Sequence, residues 1–178
     1  ICPSILWTMD TVGNLVELGK RINADELLKQ KAVAAERQNP WFTAAFVQQA
    51  LDAICTEMLD EAKLKQWLGA YQLKPVDKTI ALIFAGNLPL VGFHDFVCAY
   101  VAGCRMKIKL SSKDDLLFPR MVELLSEIDP DLKGRVEIVE KLKNFDAVIA
   151  TGSDNTNRYF EYYFRQYSKK LKKNRNSV

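Results

Sequence analysis

The feature that most constrains this chain is an alternation of short β-branched runs with helical patterns, which begins near residue 79. The runs and patterns predict strands at 79–84, 105–110, 136–139 and 147–150, and helices at 90–102, 114–128 and 155–167. Strands that alternate with helices pair in parallel through right-handed crossovers. The runs "ALIF" and "AVIA" are apolar on both sides, as a sheet covered on both faces requires. The sequence therefore predicts an α/β fold with a parallel sheet.

The chain before this alternation has helical periodicity and hardly any strand signal. A helix start signal stands at Asn23 or Asp25. Asn39 and Pro40 separate the two main helices, because a residue before proline avoids the α region. The sequence therefore predicts a helical N-terminal segment in front of the sheet.

The second of these helices has an apolar face and begins next to two aromatic residues. Trp41 and Phe42 are predicted to be core anchors. The face is predicted to contain Phe42, Ala45, Phe46, Gln49, Ala50, Ala53 and Ile54. We divide the chain into this helical segment, 1–75, and an α/β domain, 76–178.

Composition narrows the class of protein. Of 178 residues, 48% are hydrophobic and 26% are charged, as in ordinary soluble globular proteins, and the net charge of +3 is too small to indicate a partner. The basic residues near the end are interpreted as a solvated helix face rather than a nucleic-acid site, and they are Lys169, Lys170, Lys172, Lys173 and Arg175. The chain has no signal-peptide pattern and no membrane-spanning run, so we expect a cytoplasmic protein. Because it begins with Ile1, we expect it to be part of a longer protein.

The four cysteines form no C-x-x-C pair, and three lie in apolar segments. We therefore predict reduced thiols, without a disulfide framework or a zinc site.

Polar residues follow the first and second predicted strands, and ligands of open parallel sheets bind beyond the carboxyl ends of strands. After the first strand, Asn87 could cap the next helix, with Pro89 as its first residue, or could donate its amide to a developing oxyanion. At the end of the second strand, Lys109 could be an ordinary surface lysine or could reach the ribose hydroxyls of a nucleotide, and Ser111 and Ser112 follow it. No acid stands at 110–112 to repel a 2′-phosphate, which leaves room for NADP.

The fourth predicted strand runs directly into "TGSDNT". Gly152 and Ser153 lie at a strand-to-helix turn, where unpaired N–H groups favour an anion such as a pyrophosphate. Alternatively, Ser153 or Asp154 only caps the following helix. The G-x-G-x-x-G fingerprint of dinucleotide binding is absent from the sequence.

Taken together, the segments "FAGNLPLVGFHDFVCAYVAGCRMKIKLSSKDD", "FDAVIATGSDNTNRYFEYYF" and "KKNRNSV" resemble a known family. They are similar to the NAD(P)-binding part of acyl-CoA reductases of the luminescence fatty-acid reductase type, a branch of the aldehyde dehydrogenase superfamily. The likeness covers roughly residues 39–178. It implies a Rossmann-like parallel sheet of the aldehyde dehydrogenase type, present in part.

The resemblance also implies roles for individual residues. Asn87 matches the asparagine whose amide steadies the thioester oxyanion. Lys109 matches the lysine at the adenine ribose, with Ser111 beside it. Gly152 and Ser153 match the turn beside the cofactor diphosphate.

The activity implied is NADPH-dependent reduction of a fatty acyl thioester to an aldehyde through a cysteine acyl-enzyme. The acyl donor would be acyl-CoA or an acyl-carrier thioester, with an acyl-transfer protein as a possible partner and a homo-oligomer as the expected assembly. The general-base glutamate of acid-forming dehydrogenases is replaced by "KKNRNSV", which favours a reductase. None of the four cysteines matches the family nucleophile, so we expect that cysteine outside this chain and expect this segment alone to be inactive.

Two alternatives remain open at this stage. The chain could be a catalytically inert nucleotide-binding or subunit-interaction module, or it could bind nucleic acid through its lysine-rich end. His94 and Asp95 are adjacent, so we expect them to point in different directions, and we assign His94 a structural role.

Overall fold

The computed structural model describes residues 3–71, 73–74, 76–152, 165 and 168–173 of the chain. Helices occupy most of the chain before residue 70, and strands alternate with helices after it. The helices are α1 (Pro3–Ala24), α2 (Glu26–Gln38), α3 (Ala44–Ala53), α4 (Glu61–Gly69), α5 (Phe93–Val101) and α6 (Leu117–Ile128). A π-helical turn (Ile54–Met58) continues α3, and a short 3-10 turn (Pro130–Gly134) follows α6.

Side-chain caps set where three of the N-terminal helices begin. The carboxylate of Asp25 accepts a hydrogen bond from Leu28 N at 2.6 Å at the start of α2, which confirms one of the two predicted start signals. Thr43 caps α3 and Asp60 caps α4 in the same way. Helix α2 ends at Gln38, and the extended backbone of Asn39 before Pro40 confirms the predicted break.

The packing of α3 differs from the sequence prediction. Phe42 is fully buried as expected, but Trp41 is 83% exposed, so the prediction that Trp41 anchors the core is wrong. The buried residues of the helix are Val47 and Leu51, followed by Ile54, whereas most residues of the predicted face are exposed or half-buried. Phe42 precedes the helix and is placed by the turn after α2, so helical periodicity could not align it with the helix face.

Five parallel strands form one sheet, which confirms the predicted α/β class. They are β1 (Thr79–Ile83), β2 (Arg105–Lys109), β3 (Val136–Ile138), β4 (Ala147–Gly152) and β5 (Ser168–Lys173). Their order in the sheet is β3-β2-β1-β4-β5. After β1, the chain adds β2 and then β3 on one side of β1. It then crosses to the other side of β1 and adds β4 and β5, so the direction in which strands are added reverses between β1 and β4. This position is the topological switch point of the sheet.

The strand β5 corrects the interpretation of the lysine-rich end. Residues 168–173 pair in parallel with β4 at the edge of the sheet, so Lys169, Lys170, Lys172 and Lys173 belong to a strand and not to a helix face. The sequence SKKLKK lacks β-branched residues, and its pairing with β4 cannot be read from local preference. Most of the helix predicted at 155–167, and Arg175, lie outside the described residues.

The N-terminal helices and the sheet share one apolar core. A single cluster joins Leu15 and Leu18 of α1 to Phe118 of α6 and to Leu82 and Ile108 of the sheet. Burying each large apolar side chain of this kind contributes about 1.5–3 kcal/mol. The helical segment therefore covers the sheet, and the division at residues 75 and 76 stays a prediction.

The other face of the sheet has a smaller cluster of its own. It contains Ala81 and Ile83 of β1, Val148 and Ala150 of β4, and Phe145 from the loop before β4. Burial on both faces of β1 agrees with the run that is apolar on both sides. Within the described ranges, no helix is both long enough and apolar enough to span a lipid bilayer.

Candidate functional site

The carboxyl ends of β1, β2 and β4 lie side by side and form what we call the carboxyl edge of the sheet. Ile83, the last residue of β1, pairs with Lys109 on one side and with Ala150 on the other. Phe84 N also donates a hydrogen bond to Lys109 O at 3.1 Å. The residues that follow these three strands therefore emerge at neighbouring positions.

The segment 84–92, which we call the Asn87 turn, follows β1 and carries Asn87 on an exposed part of the chain. Its two ends meet, because a Cβ atom on Gly92 would collide with the ring of Phe84. Helix α5 begins only at Phe93. Asn87 is thus too far from the helix to cap it, and Pro89 lies within the turn instead of at the first helical position.

The segment 110–116, which we call the Ser111 turn, follows β2 and packs directly on the Asn87 turn. A Cβ atom on Gly86 would collide with Ser111 Oγ and would lie 2.8 Å from Lys113 Cβ. Ser111 Oγ accepts a hydrogen bond from Lys113 N at 3.2 Å. Glycine at position 86 therefore lets the backbone next to Asn87 approach Ser111 closely.

The end of α2 holds the Ser111 turn through side-chain hydrogen bonds. Gln38 Nε2 donates to Ser112 O at 2.7 Å and to Asp115 Oδ1 at 3.0 Å. Asn39, which is 7% exposed, donates from Nδ2 to Lys113 O at 3.5 Å. Sequence reasoning identified Asn39 only as a helix break and missed that it also contacts this turn.

A buried carboxylate joins the two turns. Asp114 is 8% exposed, and its Oδ2 accepts a hydrogen bond from Leu90 N at 2.8 Å. Burial raises the pKa of Asp114 to about 6, the Leu90 hydrogen bond opposes the rise, and the nearby Asp115 adds to it.

The hydrogen bond between Leu90 and Asp114 also explains why the predicted starts of two helices are wrong. The helices predicted to begin at residues 90 and 114 begin at Phe93 and Leu117, each three residues later. Leu90 N donates to Asp114, and Leu90 O accepts a hydrogen bond from Phe93 N at 2.9 Å, so Leu90 stands before the first residue of α5 and not within it. The sequence signal for Asp114 was ambiguous, because an acid before an apolar helix usually indicates a helix cap.

Lys109 ends β2 with its ammonium group beyond the strand. Its Nζ donates to Glu140 O at 2.7 Å, in the loop after β3, and the side chain is exposed. The group lies at the carboxyl edge, where it is held by a neutral backbone carbonyl.

Gly152 is the last residue of β4, two residues beyond the Ala150 that pairs with Ile83 of β1. It therefore lies on the far side of the switch point from Lys109. Ser153 lies outside the described residues. Four of the five predicted site residues thus follow or end strands at the carboxyl edge, and they are Asn87, Lys109, Ser111 and Gly152.

The three described cysteines lie outside the Asn87 turn and the Ser111 turn. Cys104 is buried just before β2, at the opposite end of the strands, and burial raises the pKa of its thiol. Cys55 is in the π-helical turn, where burial and then the charge of Asp52 raise the pKa of its thiol to about 11. Cys98 lies on α5 with its Sγ 3.8 Å from His94 Nδ1. A thiol of raised pKa is a poor nucleophile near neutral pH, which argues against Cys55 and Cys104 in this role.

His94 and Asp95 are closer than the sequence indicated. His94 Nδ1 lies 3.7 Å from Asp95 Oδ1, so the expectation that these side chains would not face each other is wrong. The ring of His94 also lies 6.5 Å from that of Trp67 on α4, which brings the first turn of α5 against the helical segment.

Three clefts lie away from the carboxyl edge. One of about 250 Å³ lies between α4 and α5 and is lined by Trp67 and His94. One of about 380 Å³ lies at the beginning of the strands, with Arg105 in its wall, and one of about 440 Å³ lies between α1 and α4 beside Gly13. None of the predicted site residues lines these three clefts. The carboxyl edge is therefore identified as the candidate site by its polar groups and by the sheet topology.

Comparison with solved structures gives a related fold. The aldehyde dehydrogenase PutA from Anabaena variabilis superposes with a TM-score of 0.54 at 17% sequence identity, over 96% of this chain and 44% of that protein. The fold is that of part of an aldehyde dehydrogenase. The chain spans less than half of the length of that protein. No protein-family profile matches the chain, and no curated protein is similar to it in sequence at a significant level.

Proposed function

We propose that this chain is the nucleotide-binding part of an oxidoreductase that reduces a fatty acyl thioester to an aldehyde with NADPH. The observation that carries the proposal is the position of the Asn87 turn. It follows β1 at the switch point of a sheet whose fold is similar to that of an aldehyde dehydrogenase. In open parallel sheets, this crevice is where ligands bind.

The donor groups at the end of β2 fit a ribose that bears a phosphate. Lys109 offers an ammonium group that is exposed at the edge, and Ser111 offers a hydroxyl in the adjacent turn. The acid nearest to them in the chain, Asp114, is buried and bonded to Leu90, so it does not present a charge to a ligand at the surface. This donor set favours NADPH over NADH, because a carboxylate at this position would repel a 2′-phosphate.

The other predicted site residues at the carboxyl edge would act on the diphosphate and on the reacting oxygen. Gly152 and Ser153 would bring backbone N–H groups to the diphosphate. Bound NADPH supplies the hydride that reduces the acyl carbon. Asn87 would donate its side-chain amide to the oxygen on which negative charge develops, and removing one such donor typically costs about 10²–10³-fold in rate.

The acyl group would be taken from coenzyme A or a carrier protein by a thiolate outside this chain. In that step, a bond forms between the thiolate sulfur and the acyl carbon, and the bond to the donor thiol breaks. Cys55 and Cys104 are unsuited to it by their raised pKa and their positions.

The test is an assay of NADPH oxidation by the full natural protein with acyl-CoA thioesters of several chain lengths. Asn87→Ala should lower turnover by about 10²-fold, while the Kd for NADPH stays within about two-fold, because the amide acts on the reacting oxygen and not on the nucleotide. Gln48→Ala, which removes an exposed amide on α3, is the matched control. Unchanged turnover in Asn87→Ala would remove Asn87 from the site.

A second candidate is a nucleotide-binding or subunit-interaction module without chemistry of its own. The position of the described cysteines outside the Asn87 and Ser111 turns favours it. NADPH binding by the natural protein without reduction of any acyl thioester would select this candidate.

A further inference from the structure

The two turns of the carboxyl edge are joined by one side chain that the proposed chemistry does not use. Asp114 N donates to Ser111 O at 3.0 Å, which closes the Ser111 turn, and Asp114 Oδ2 accepts from Leu90 N at 2.8 Å in the Asn87 turn. The second carboxylate oxygen, Oδ1, is buried and has no hydrogen-bond partner among the described residues. A carboxylate is rarely buried in this way unless its position is needed.

The Asn87 turn needs such a partner because part of its backbone is strained. Leu90 has a φ of 56°, in the left-handed region that residues other than glycine rarely adopt. A conformation of this kind persists when surrounding contacts hold it. The side chain of Leu90 is buried and its N–H is bonded to Asp114, so both fix the residue. Leu90 lies three residues after Asn87 within the same short turn, so a change at Leu90 is transmitted to Asn87.

We infer that Asp114 is the positioning residue of Asn87, and that ionisation of its buried carboxylate controls how firmly the Asn87 turn is held against the Ser111 turn. The functional part of this inference rests on the proposed function. The structural part does not, because it concerns a hydrogen bond and a turn within this chain.

The direction of the pH effect follows from linkage. The hydrogen bond from Leu90 lowers the pKa of Asp114 relative to burial alone, so protonation of Asp114 must weaken that hydrogen bond by the same free energy. Burial raises the pKa to about 6, above the usual value of 3.8. Burial outweighs this hydrogen bond, so the closed turn binds the proton more tightly than an opened turn in which Asp114 meets water. The turn is therefore held most firmly when Asp114 is protonated, and it loosens as the pH rises through about 6.

Other charged groups near Asp114 must be separated from it. The Asn87 turn has no titratable side chain, and the end of α2 contributes the neutral Gln38 and Asn39. The Ser111 turn contributes Lys113 and Asp115, and the first turn of α5 contributes His94 and Asp95. Histidine side chains ordinarily change charge between pH 5 and 8, so a variant at His94 is the control for this readout.

Amide exchange and NMR titration of this chain test the structural part directly. Asp114→Ala removes the acceptor, so the Leu90 amide should exchange about ten-fold faster or more, whereas Asp114→Asn keeps an oxygen acceptor and should change the rate by less than about three-fold. Asp115→Asn, which alters an exposed neighbour, is the matched control. An unchanged Leu90 exchange rate in Asp114→Ala would overturn the inference.

The pH readout remains informative even if Asp114→Ala fails to fold. In the natural sequence, the Leu90 amide shift should titrate with a midpoint near pH 6, where burial places the Asp114 pKa. This titration should disappear in Asp114→Asn and persist in His94→Gln. Its persistence in Asp114→Asn, or its loss in His94→Gln, would contradict the inference.

Turnover of the full natural protein tests the functional part. Asp114→Ala should lower kcat with little change in the KM for NADPH, and Asp114→Asn should restore kcat and flatten its fall above pH 6. If the Leu90 amide responds as expected but Asn87→Ala leaves turnover unchanged, the proposed function is wrong and the structural role of Asp114 stands. If Asn87→Ala is impaired but Asp114→Ala is not, Asp114 does not position Asn87.

Discussion

Asn87, Lys109 and Ser111 follow adjacent strands but are held in different ways. Ser111 is fixed within a turn that α2 supports, and Lys109 reaches across to the carbonyl of Glu140. Asn87 depends on a turn that is closed by two glycine contacts and one buried carboxylate. A substitution at each position should therefore affect a different step, and a substitution of Lys109 should change nucleotide binding alone.

Lys109→Ala should weaken NADPH binding by about ten-fold or more, because a charge-assisted contact with a phosphate contributes roughly 1.5–3 kcal/mol. Binding of NADH should change much less. Lys107→Ala is the matched control, since Lys107 lies on the same strand and also donates to a backbone carbonyl, that of Lys143, but lies nearer the beginning of the strand. Isothermal titration checks this prediction. Equal NADPH affinities for Lys109→Ala and the natural sequence would mean that the end of β2 does not bind the phosphate.

At the scale of the elements, the carboxyl edge depends on how closely two turns pack. Gly86 has no left-handed backbone angle, so a side chain there is opposed by contact and not by backbone strain. The collision with Ser111 Oγ and the approach to Lys113 Cβ would force the Asn87 and Ser111 turns apart. Their separation would disturb the edge without changing any of its polar groups.

Gly86→Ala should lower the free energy of unfolding by about 1–3 kcal/mol, the usual cost of overpacking a close contact. Gly13→Ala in α1 is the opposite control: a Cβ atom there meets no atom within 4 Å. It should raise stability by about 0.5–1 kcal/mol, because alanine loses less backbone entropy than glycine in a helix. Urea unfolding of both variants measures the difference. A Gly86→Ala variant as stable as the natural sequence would show that the two turns are not tightly packed.

The sequence predicted elements well where local pattern determines them. All four predicted strands are present, with ends within two residues, because runs rich in β-branched and other apolar residues fit the pleated surface of a buried sheet. The exposed Trp41, the strand formed by the lysine-rich segment and the late starts of α5 and α6 were not predicted. The strand and the late helix starts depend on contacts distant in sequence, those of β5 with β4 and of Asp114 with Leu90, that no local period encodes.

At the scale of the whole molecule, a polar network ties the helical segment to the sheet domain. Asn14 of α1 donates to the hydroxyl of Tyr100 at 3.0 Å, and that hydroxyl donates to Asp129 Oδ2 at 2.9 Å. Arg135 pairs with the same carboxylate and lies 5.3 Å from the Tyr100 ring centroid. Burial is the largest cause of the raised pKa of Tyr100, so its hydroxyl stays protonated as a donor near neutral pH. The carboxyl edge is thus built on a core that includes both parts of the chain.

The central claim is that NADPH binds at the carboxyl edge between β1 and β4, and amide shift mapping during an NADPH titration tests it most directly. The claim predicts that the largest shifts fall on Asn87, Lys109, Ser111 and Gly152, while Thr79 and Arg105, where β1 and β2 begin, stay unchanged. Shifts confined to the beginning of the strands, or no saturable shift at those four amides, would contradict it.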